Sequence, residues 1–342
     1  MNTSFEDIRA LTKEDFKVTD PVKWCSGCGG HSVLSSVQNA LPEIGYEKEK
    51  IVFVSGIGCS SRFPYYINTY GFHGLHGRAV PVASGLKVSN PDLSVWVVTG
   101  DGDLLAIGGN HFIHVVRRNI DINILLFNNK IYGLTKGQYS PTTPLGSITK
   151  TSPDGTIENP FKPGELTMGA QGTFYARAVD TDPKMMKEIL IRAARHKGTS
   201  VVEVLQNCVI FANQVHAEIT GKDQREDNQI YLEHGKPMLF GKEHNKGLVL
   251  ENSNLKVVTV GENGISMEDI LVHDMECQDN TLHYMLARMS LPDFPVAMGV
   301  IRSAAGPVYE SLLYDQISTL KKESNLKTMN DLLCSGNVFE VK

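Results

Sequence analysis

Four short apolar runs, each cut off by small or polar residues, set the frame of this chain: Ile51–Val54, Val95–Thr99, Ile122–Phe127 and Ser200–Val204. Continuous apolar runs of this length, bounded by turn residues, read as strands buried on both faces. Between them the apolar period changes to that of a helix. Val33, Leu34, Val37 and Leu41 mark one helix, Val80–Lys87 a second and Ile107–Arg117 a third. A fourth carries the stripe Met185, Met186, Ile189, Leu190, Ala193 and Ala194, with Asp182 as cap and Pro183 opening it. Strands alternating with helices imply right-handed crossovers. The reading is therefore an α/β fold with a doubly wound, mostly parallel sheet that closes near Cys208.

Beyond Phe211 the pattern changes. Asn213 to Pro237 is polar and charged and reads as a linker. Strand candidates follow at Leu248–Leu250 and Leu255–Val260, with the turn Asn252–Ser253–Asn254 between them. Helices are expected around Leu282–Met289 and Val308–Leu320, separated by Pro292–Pro295. The expected division is an N-terminal extension over 1–20, a ligand-binding domain over 21–212, and a linker with a smaller α+β appendage over 213–342.

Composition narrows the function class. At 342 residues the chain fits about two domains, and its net charge of −5 indicates neither a nucleic-acid surface nor an acidic tail. Glu6, Asp7, Arg9, Lys13, Glu14 and Asp15 leave no apolar centre for a signal peptide. No apolar run approaches the ~20 residues a membrane span needs. The chain reads as cytoplasmic, where cysteines serve as metal ligands or catalysts more often than as disulfides.

The candidate chemistry collects where strands end. Gly100–Asp101–Gly102 follows the second run and Asn128–Asn129 the third. In a parallel sheet these carboxyl ends are where ligands bind. The glycines admit close backbone approach, and a helix start offers free N–H groups, which together suit a diphosphate. Asp101, Asn129 and a carbonyl just beyond, that of Ile131, supply hard oxygens for magnesium. The plain alternative is a pair of tight turns. Phe72–His73–Gly74–Leu75–His76–Gly77–Arg78 is a polar turn on the same side, with His76–Gly77–Arg78 its strongest part.

Cys25 and Cys28 form a C-x-x-C in a glycine-rich turn, Cys59 follows the first strand and Cys208 the fourth. By itself a C-x-x-C also fits a redox pair or a zinc knuckle. Four sulfurs above one sheet edge suit zinc or an iron–sulfur cluster. Cys277 and Cys334 lie in other contexts and read as ordinary packing or surface thiols. The long loop from Lys130 through Pro144 and the irregular stretch 147–163 sit beside this corner, where long loops tend to be functional.

The pairing of G-D-G with N-N resembles the thiamine diphosphate and magnesium motif of thiamine-dependent enzymes. The ordered set C-S-G-C-G-G-H, S-G-I-G-C-S-S-R, H-G-R-A, G-D-G-D and F-N-N-K-I-Y-G-L-T-K-G-Q-Y-S-P-T is more specific. It resembles the beta subunit of 2-oxoacid:ferredoxin oxidoreductases, nearest the 2-oxoglutarate branch, over roughly residues 20–240. That resemblance implies a four-iron, four-sulfur cluster on Cys25, Cys28, Cys59 and Cys208, and Mg2+ on Asp101, Asn129 and the Ile131 carbonyl. It implies thiamine diphosphate contacts at Gly58, Cys59, Ser60, His76, Gly77, Gly100, Gly102, Asp103, Gly133, Leu134 and Thr135. It also implies catalytic-site roles for Arg62, Leu134 and Lys136, with Arg62 gripping a substrate carboxylate.

The implied reaction is coenzyme A-dependent oxidative decarboxylation of 2-oxoglutarate to succinyl-CoA, with electrons passed to ferredoxin. Thiamine activation needs a carboxylate on the aminopyrimidine ring, and no second cofactor-type domain is visible in the sequence. By resemblance an alpha subunit supplies that glutamate, in an alpha2beta2 assembly. Three alternatives remain at this level. They are the same chemistry on pyruvate or other 2-oxoacids, a non-redox thiamine lyase or transferase with structural zinc, and a non-catalytic assembly subunit.

Overall fold

A computed structural model describes residues 11–339 and 341 of the chain. Residues 1–10 of the expected N-terminal extension, with Glu6, Asp7 and Arg9, lie outside the described residues. The first long helix, α1 (Gly30–Ile44), leaves the cysteine turn and stops at Gly45, whose φ of 83° no longer fits a helix. There follow β1 (Ile51–Ser55), β2 (Tyr70–His73), α2 (Ala79–Ser89), β3 (Ser94–Gly100), α3 (Asp101–Leu105), α4 (Gly109–Arg118) and β4 (Asn123–Asn128). After a long loop come α5 (Pro163–Gly169), β5 (Phe174–Val179), α6 (Pro183–Arg195) and β6 (Ser200–Leu205). The remainder forms α7 (Ala217–Thr220), α8 (Arg225–Asn228), β7 (Gln229–Leu232), β8 (Leu239–Phe240), β9 (Lys246–Glu251) and β10 (Asn254–Thr259). It ends with α9 (Thr281–Arg288), β11 (Val296–Ser303), α10 (Tyr309–Glu323) and α11 (Met329–Leu333).

The strands make an eight-stranded sheet in the order β2-β1-β3-β4-β6-β5-β11-β7 and a three-stranded sheet β10-β9-β8. From β2 to β5 every neighbour is parallel. Burial on both faces explains the unbroken apolar runs. In β3, Val95 and Val97 enter the core beneath α2 and α4, while Trp96 and Val98 enter the core beneath α1 and α6. The β3–β4 crossover thus covers one face and the β5–β6 crossover the other, which is the doubly wound arrangement expected. The Asp182 carboxylate accepts from the Met185 N–H, so α6 is capped as its sequence suggests.

Parallel register brings the strand ends to one edge. Ser55 pairs with Val98, Gly100 with Phe127, and Asn128 with Leu205. The residues after each of these strands are therefore neighbours.

Five strands went unanticipated: β2, β5, β7, β8 and β11. β2 is an edge strand with Tyr70 and Phe72 exposed, so it lacks an apolar signal. β5 contains Arg177, which breaks the apolar run, yet Arg177 is buried and its Nε lies 2.7 Å from Glu203 on the adjacent strand. β11 runs antiparallel to β5 and parallel to β7. The stretch read as a linker holds α7, α8 and β7, and the expected boundary at 212 runs through one continuous sheet. Only β8–β10 form a separate layer of the kind expected for an appendage. Among the described residues no helix is long and apolar enough to cross a membrane.

Candidate active site

The loops after β1, β3 and β4 enclose a cavity of about 400 Å³. Gly58, Cys59 and Ser60 line it from the first loop, and Gly100, Asp101, Gly102 and Asp103 from the second. Asn129, Ile131, Gly133, Leu134 and Thr135 line it from the third, and His76 closes the side. Of the residues singled out in the sequence for cofactor contact, Gly77 alone stays off the wall. It has φ 67°, and a Cβ there would meet the Gly108 nitrogen at 2.6 Å, so it sets the close packing of two loops.

Asp101 begins α3 directly after β3 and is only 2 % exposed. Its Oδ2 accepts from Ser140 Oγ and Thr142 Oγ1, each at 2.5 Å. Burial raises its carboxyl pKa and these hydroxyls pull it back down. A bound divalent cation would hold it ionised. Thr142 Oγ1 also lies 3.0 Å from Asn128 Oδ1, and Asn128 Nδ2 donates to Glu203 Oε1 at 2.6 Å. Glu203 in turn receives Arg177 Nε and Tyr175 Oη, so Asp101 is held through a buried polar chain that crosses three strands. The neighbouring Asn129 donates through Nδ2 to Gln206 Oε1 at 3.1 Å, while its Oδ1 faces the Ile131 N–H at 3.3 Å. Lys130 has φ 56° and turns the chain out of β4, and Thr143 Oγ1 fixes that turn by donating to the Lys130 carbonyl.

Asp103 braces the loops against one another. Its Oδ1 accepts from His76 Nδ1 at 2.6 Å, the Gly77 N–H at 2.7 Å and the Ile57 N–H at 3.1 Å, while Oδ2 accepts from Thr99 Oγ1. Gly56 is required beneath it, because a Cβ there would sit 2.1 Å from Asp103 Oδ2. Among the described residues Arg78 pairs with no carboxylate, and it donates to the Gly77 and Ile107 carbonyls.

Cys25 is exposed, and Cys28, Cys59 and Cys208 are half-buried. Trp24 Nε1 donates to the Cys59 carbonyl at 2.6 Å, which ties the C-x-x-C turn to the β1 loop. A Cβ on Gly133 would lie 3.5 Å from Cys208 Sγ and 3.7 Å from Cys59 Sγ. The Cys59 thiol is pushed up to about 11, first by burial and then by the Cys208, Cys28 and Cys25 charges, with Arg62 acting against them. Cys28 is raised by burial and further by Cys208 and Cys25. All four thiols therefore share one electrostatic neighbourhood. Cys277 and Cys334 are exposed, as read.

Arg62 and Lys136 do not line the cavity. Arg62 is half-buried beside Cys59 and has no ion-pair or side-chain hydrogen-bond partner among the described residues. Lys136 is exposed at φ 77° and, with Lys130, lines an adjoining cavity of about 590 Å³.

The family described as "Thiamine pyrophosphate enzyme, C-terminal TPP binding domain" matches residues 56–204, which span these loops and the strands that carry them. The 2-oxoglutarate oxidoreductase subunit KorB of Mycobacterium tuberculosis is 46% identical over 305 residues, covering 89% of this chain and 81% of its own length. Subunit beta of 2-oxoacid:ferredoxin oxidoreductase 2 of Aeropyrum pernix is 45% identical over 199 residues, 58% of this chain and 64% of its own. The chain belongs to the beta subunits of the 2-oxoacid:ferredoxin oxidoreductases. A solved 2-oxoglutarate:ferredoxin oxidoreductase from Magnetococcus marinus, with 2-oxoglutarate, coenzyme A and succinyl-CoA bound, matches it at a TM-score of 0.77. Their identity is 30%, over 98% of this chain and 99% of that one.

Sequence reasoning missed several residues of this beta-subunit site. Tyr132 donates to the Gly102 carbonyl at 3.0 Å, and its ring fills the space a Gly102 Cβ would take, 2.2 Å away. Burial, with the Asp101 and Asp103 charges, pushes its phenol up to about 12. Tyr132, Ser140 and Thr142 all stood inside the quoted loop motif, but nothing in their spacing separated them from its other polar residues. Gln206 carried no signal at all.

Proposed function

We propose that this beta subunit, paired with an alpha subunit, converts 2-oxoglutarate and coenzyme A to succinyl-CoA and carbon dioxide. The two electrons released pass through a four-iron, four-sulfur cluster to ferredoxin. One observation carries the reading: Cys59 lines the cofactor cavity and its Sγ also stands with that of Cys208 beside Gly133. A cofactor and a cluster held there would share a wall, as electron transfer between them requires.

The donor sets fit both groups. Asp101, Asn129 and the Ile131 carbonyl offer hard oxygens to Mg2+ at the cavity wall. Cys25, Cys28, Cys59 and Cys208 offer four sulfurs. Among the described residues no three His, Cys, Asp or Glu side chains close on a position for a single ion. Four thiolates suit a cluster or a tetrahedral zinc, and iron analysis separates the two. When bound, thiamine diphosphate supplies the electron sink that lets carbon dioxide leave. The chain's own residues position and tune. Asp101 and Asn129 fix the metal end, the Asp103 brace holds the loops at their spacing, and Arg62 meets the distal carboxylate of a dicarboxylic 2-oxoacid. An unpaired guanidinium suits that role, since its fork grips a carboxylate through two parallel bonds. We place the activity in the cytoplasm, in an alpha2beta2 assembly whose alpha subunit brings the glutamate for the pyrimidine ring.

The test is anaerobic co-purification with the alpha subunit, followed by iron analysis and methyl-viologen reduction with several 2-oxoacids and coenzyme A. Broad absorption near 400 nm and turnover that prefers 2-oxoglutarate are expected. Zinc without iron, or turnover by the beta chain alone, overturns the proposal.

A further inference from the structure

Gln206 connects the two halves of the site. It is the residue after β6, and the Asn128–Leu205 pairing of β4 with β6 sets it beside Asn129. It is 3 % exposed, and its N–H donates to the Asn128 carbonyl at 3.0 Å, so its backbone is fixed. Its Oε1 accepts from Asn129 Nδ2 at 3.1 Å. Its Nε2 donates to Cys28 Sγ at 3.1 Å and to the Asn207 carbonyl at 3.2 Å. Glycine at 29 makes the approach possible, because a Cβ there would lie 2.9 Å from Gln206 Cγ.

The direction of this amide follows from its neighbours. A cysteine thiolate that ligates metal only accepts hydrogen bonds, so the Gln206 NH2 group faces Cys28. Its oxygen then faces Asn129 and takes the Asn129 NH2 group. That leaves Asn129 Oδ1, which accepts the Ile131 N–H at 3.3 Å through one lone pair, to offer its second to a cation. Resting on the function proposed above, we infer that Gln206 is a positioning residue that couples the metal end of the cofactor site to the cluster. A cation on Asn129 Oδ1 polarises that amide, strengthens the bond to Gln206 Oε1, and makes Gln206 Nε2 a better donor to Cys28. Hydrogen-bonded amides reinforce one another in this way. A stronger donor favours the more negative, reduced cluster. By linkage, reduction tightens magnesium binding by the same factor.

The experiment uses the complex with its alpha subunit. The cluster's midpoint potential is measured by EPR-monitored titration with and without Mg2+–thiamine diphosphate, and Mg2+ affinity is measured on the oxidised and reduced protein. In the unaltered protein, Mg2+–thiamine diphosphate should raise the ratio of reduced to oxidised cluster at fixed potential. Gln206→Met, nearly isosteric, should lower that ratio by about fivefold, the size one hydrogen bond carries, and shrink its response to the cofactor. Gln206→Glu keeps the acceptor for Asn129 and loses the donor. It should retain magnesium binding while depressing the ratio further. Potentials and cofactor response within twofold of the unaltered protein in both variants overturn the coupling. Absence of any iron in the unaltered complex would instead overturn the underlying function, so the two failures are distinguishable.

Discussion

The diphosphate corner and the cysteine corner stand on the same sheet edge, yet the protein prepares them differently. Asp101 and Asp103 are held by hydroxyls, amides and an imidazole before any ligand arrives. The cysteines have turns and one tryptophan bond to place their backbones, but little to stabilise their charges. Burial and mutual repulsion hold Cys59 and Cys28 as neutral thiols. One corner is a finished socket. The other is completed by what binds there.

Cysteine replacement should give the largest effect. Serine at 25, 28, 59 or 208 is expected to remove iron and colour altogether, and viologen reduction with them, whereas Cys277→Ser and Cys334→Ser keep both. Iron at the unaltered level in Cys208→Ser would remove that residue from the set. Next comes the prepared corner. Asp101→Ala and Asn129→Ala should leave a folded chain that loses thiamine diphosphate on gel filtration, an affinity drop of roughly a hundredfold or more. Normal cofactor content would defeat the metal assignment. Arg62→Ala, beside Cys59, should lower kcat/KM for 2-oxoglutarate by roughly ten- to hundredfold and leave pyruvate or 2-oxobutyrate little changed. Equal losses on all substrates would mean that Arg62 only supports its loop. Thr142→Val removes a hydroxyl from Asp101 without touching the cofactor itself, and should weaken Mg2+ binding by about tenfold in calorimetry.

The smallest effect is on pH and separates the corners most directly. Cys59 and Cys28 are raised in the folded apo chain, so they bind protons more tightly there than when unfolded. Their contribution to apo stability is full below the unfolded thiol range and is lost as pH climbs toward about 11, the Cys59 value. Thermal melts of the apo protein should fall over that interval, and cluster reconstitution should quicken with pH because each ligand releases a proton. A flat profile would mean the thiols are already solvated and that the contrast is overstated.

Strands β1, β3, β4 and β6 of the parallel part were legible because burial on both faces forces uninterrupted apolar runs. The site loops were legible because the glycine, aspartate and cysteine positions there have few chemical alternatives. What escaped the sequence depends on partners far along the chain. Arg177 reads as a surface residue until Glu203 lies opposite it, and breaking that buried pair should cost about 3–5 kcal/mol. β11 is recognisable only beside β5 and β7. Thr142, Tyr132 and Gln206 are ordinary polar residues whose roles come from the atoms they meet.

The placement of β11 also sets a timetable for synthesis. A ribosome finishes β5 and β6 long before it reaches residues 296–303, which cover the free side of β5. About a hundred residues separate these events, or roughly 5–20 s of translation. During that interval the nascent sheet has a bare edge at β5 as well as the one β2 keeps in the finished fold, the type of surface that recruits other strands. Co-translational folding of this subunit therefore cannot conclude at the cofactor domain. It waits for β11, and a ribosome stalled after β6 has cleared the exit tunnel but before β11 is made should display a chain that binds strand-seeking chaperones until synthesis resumes.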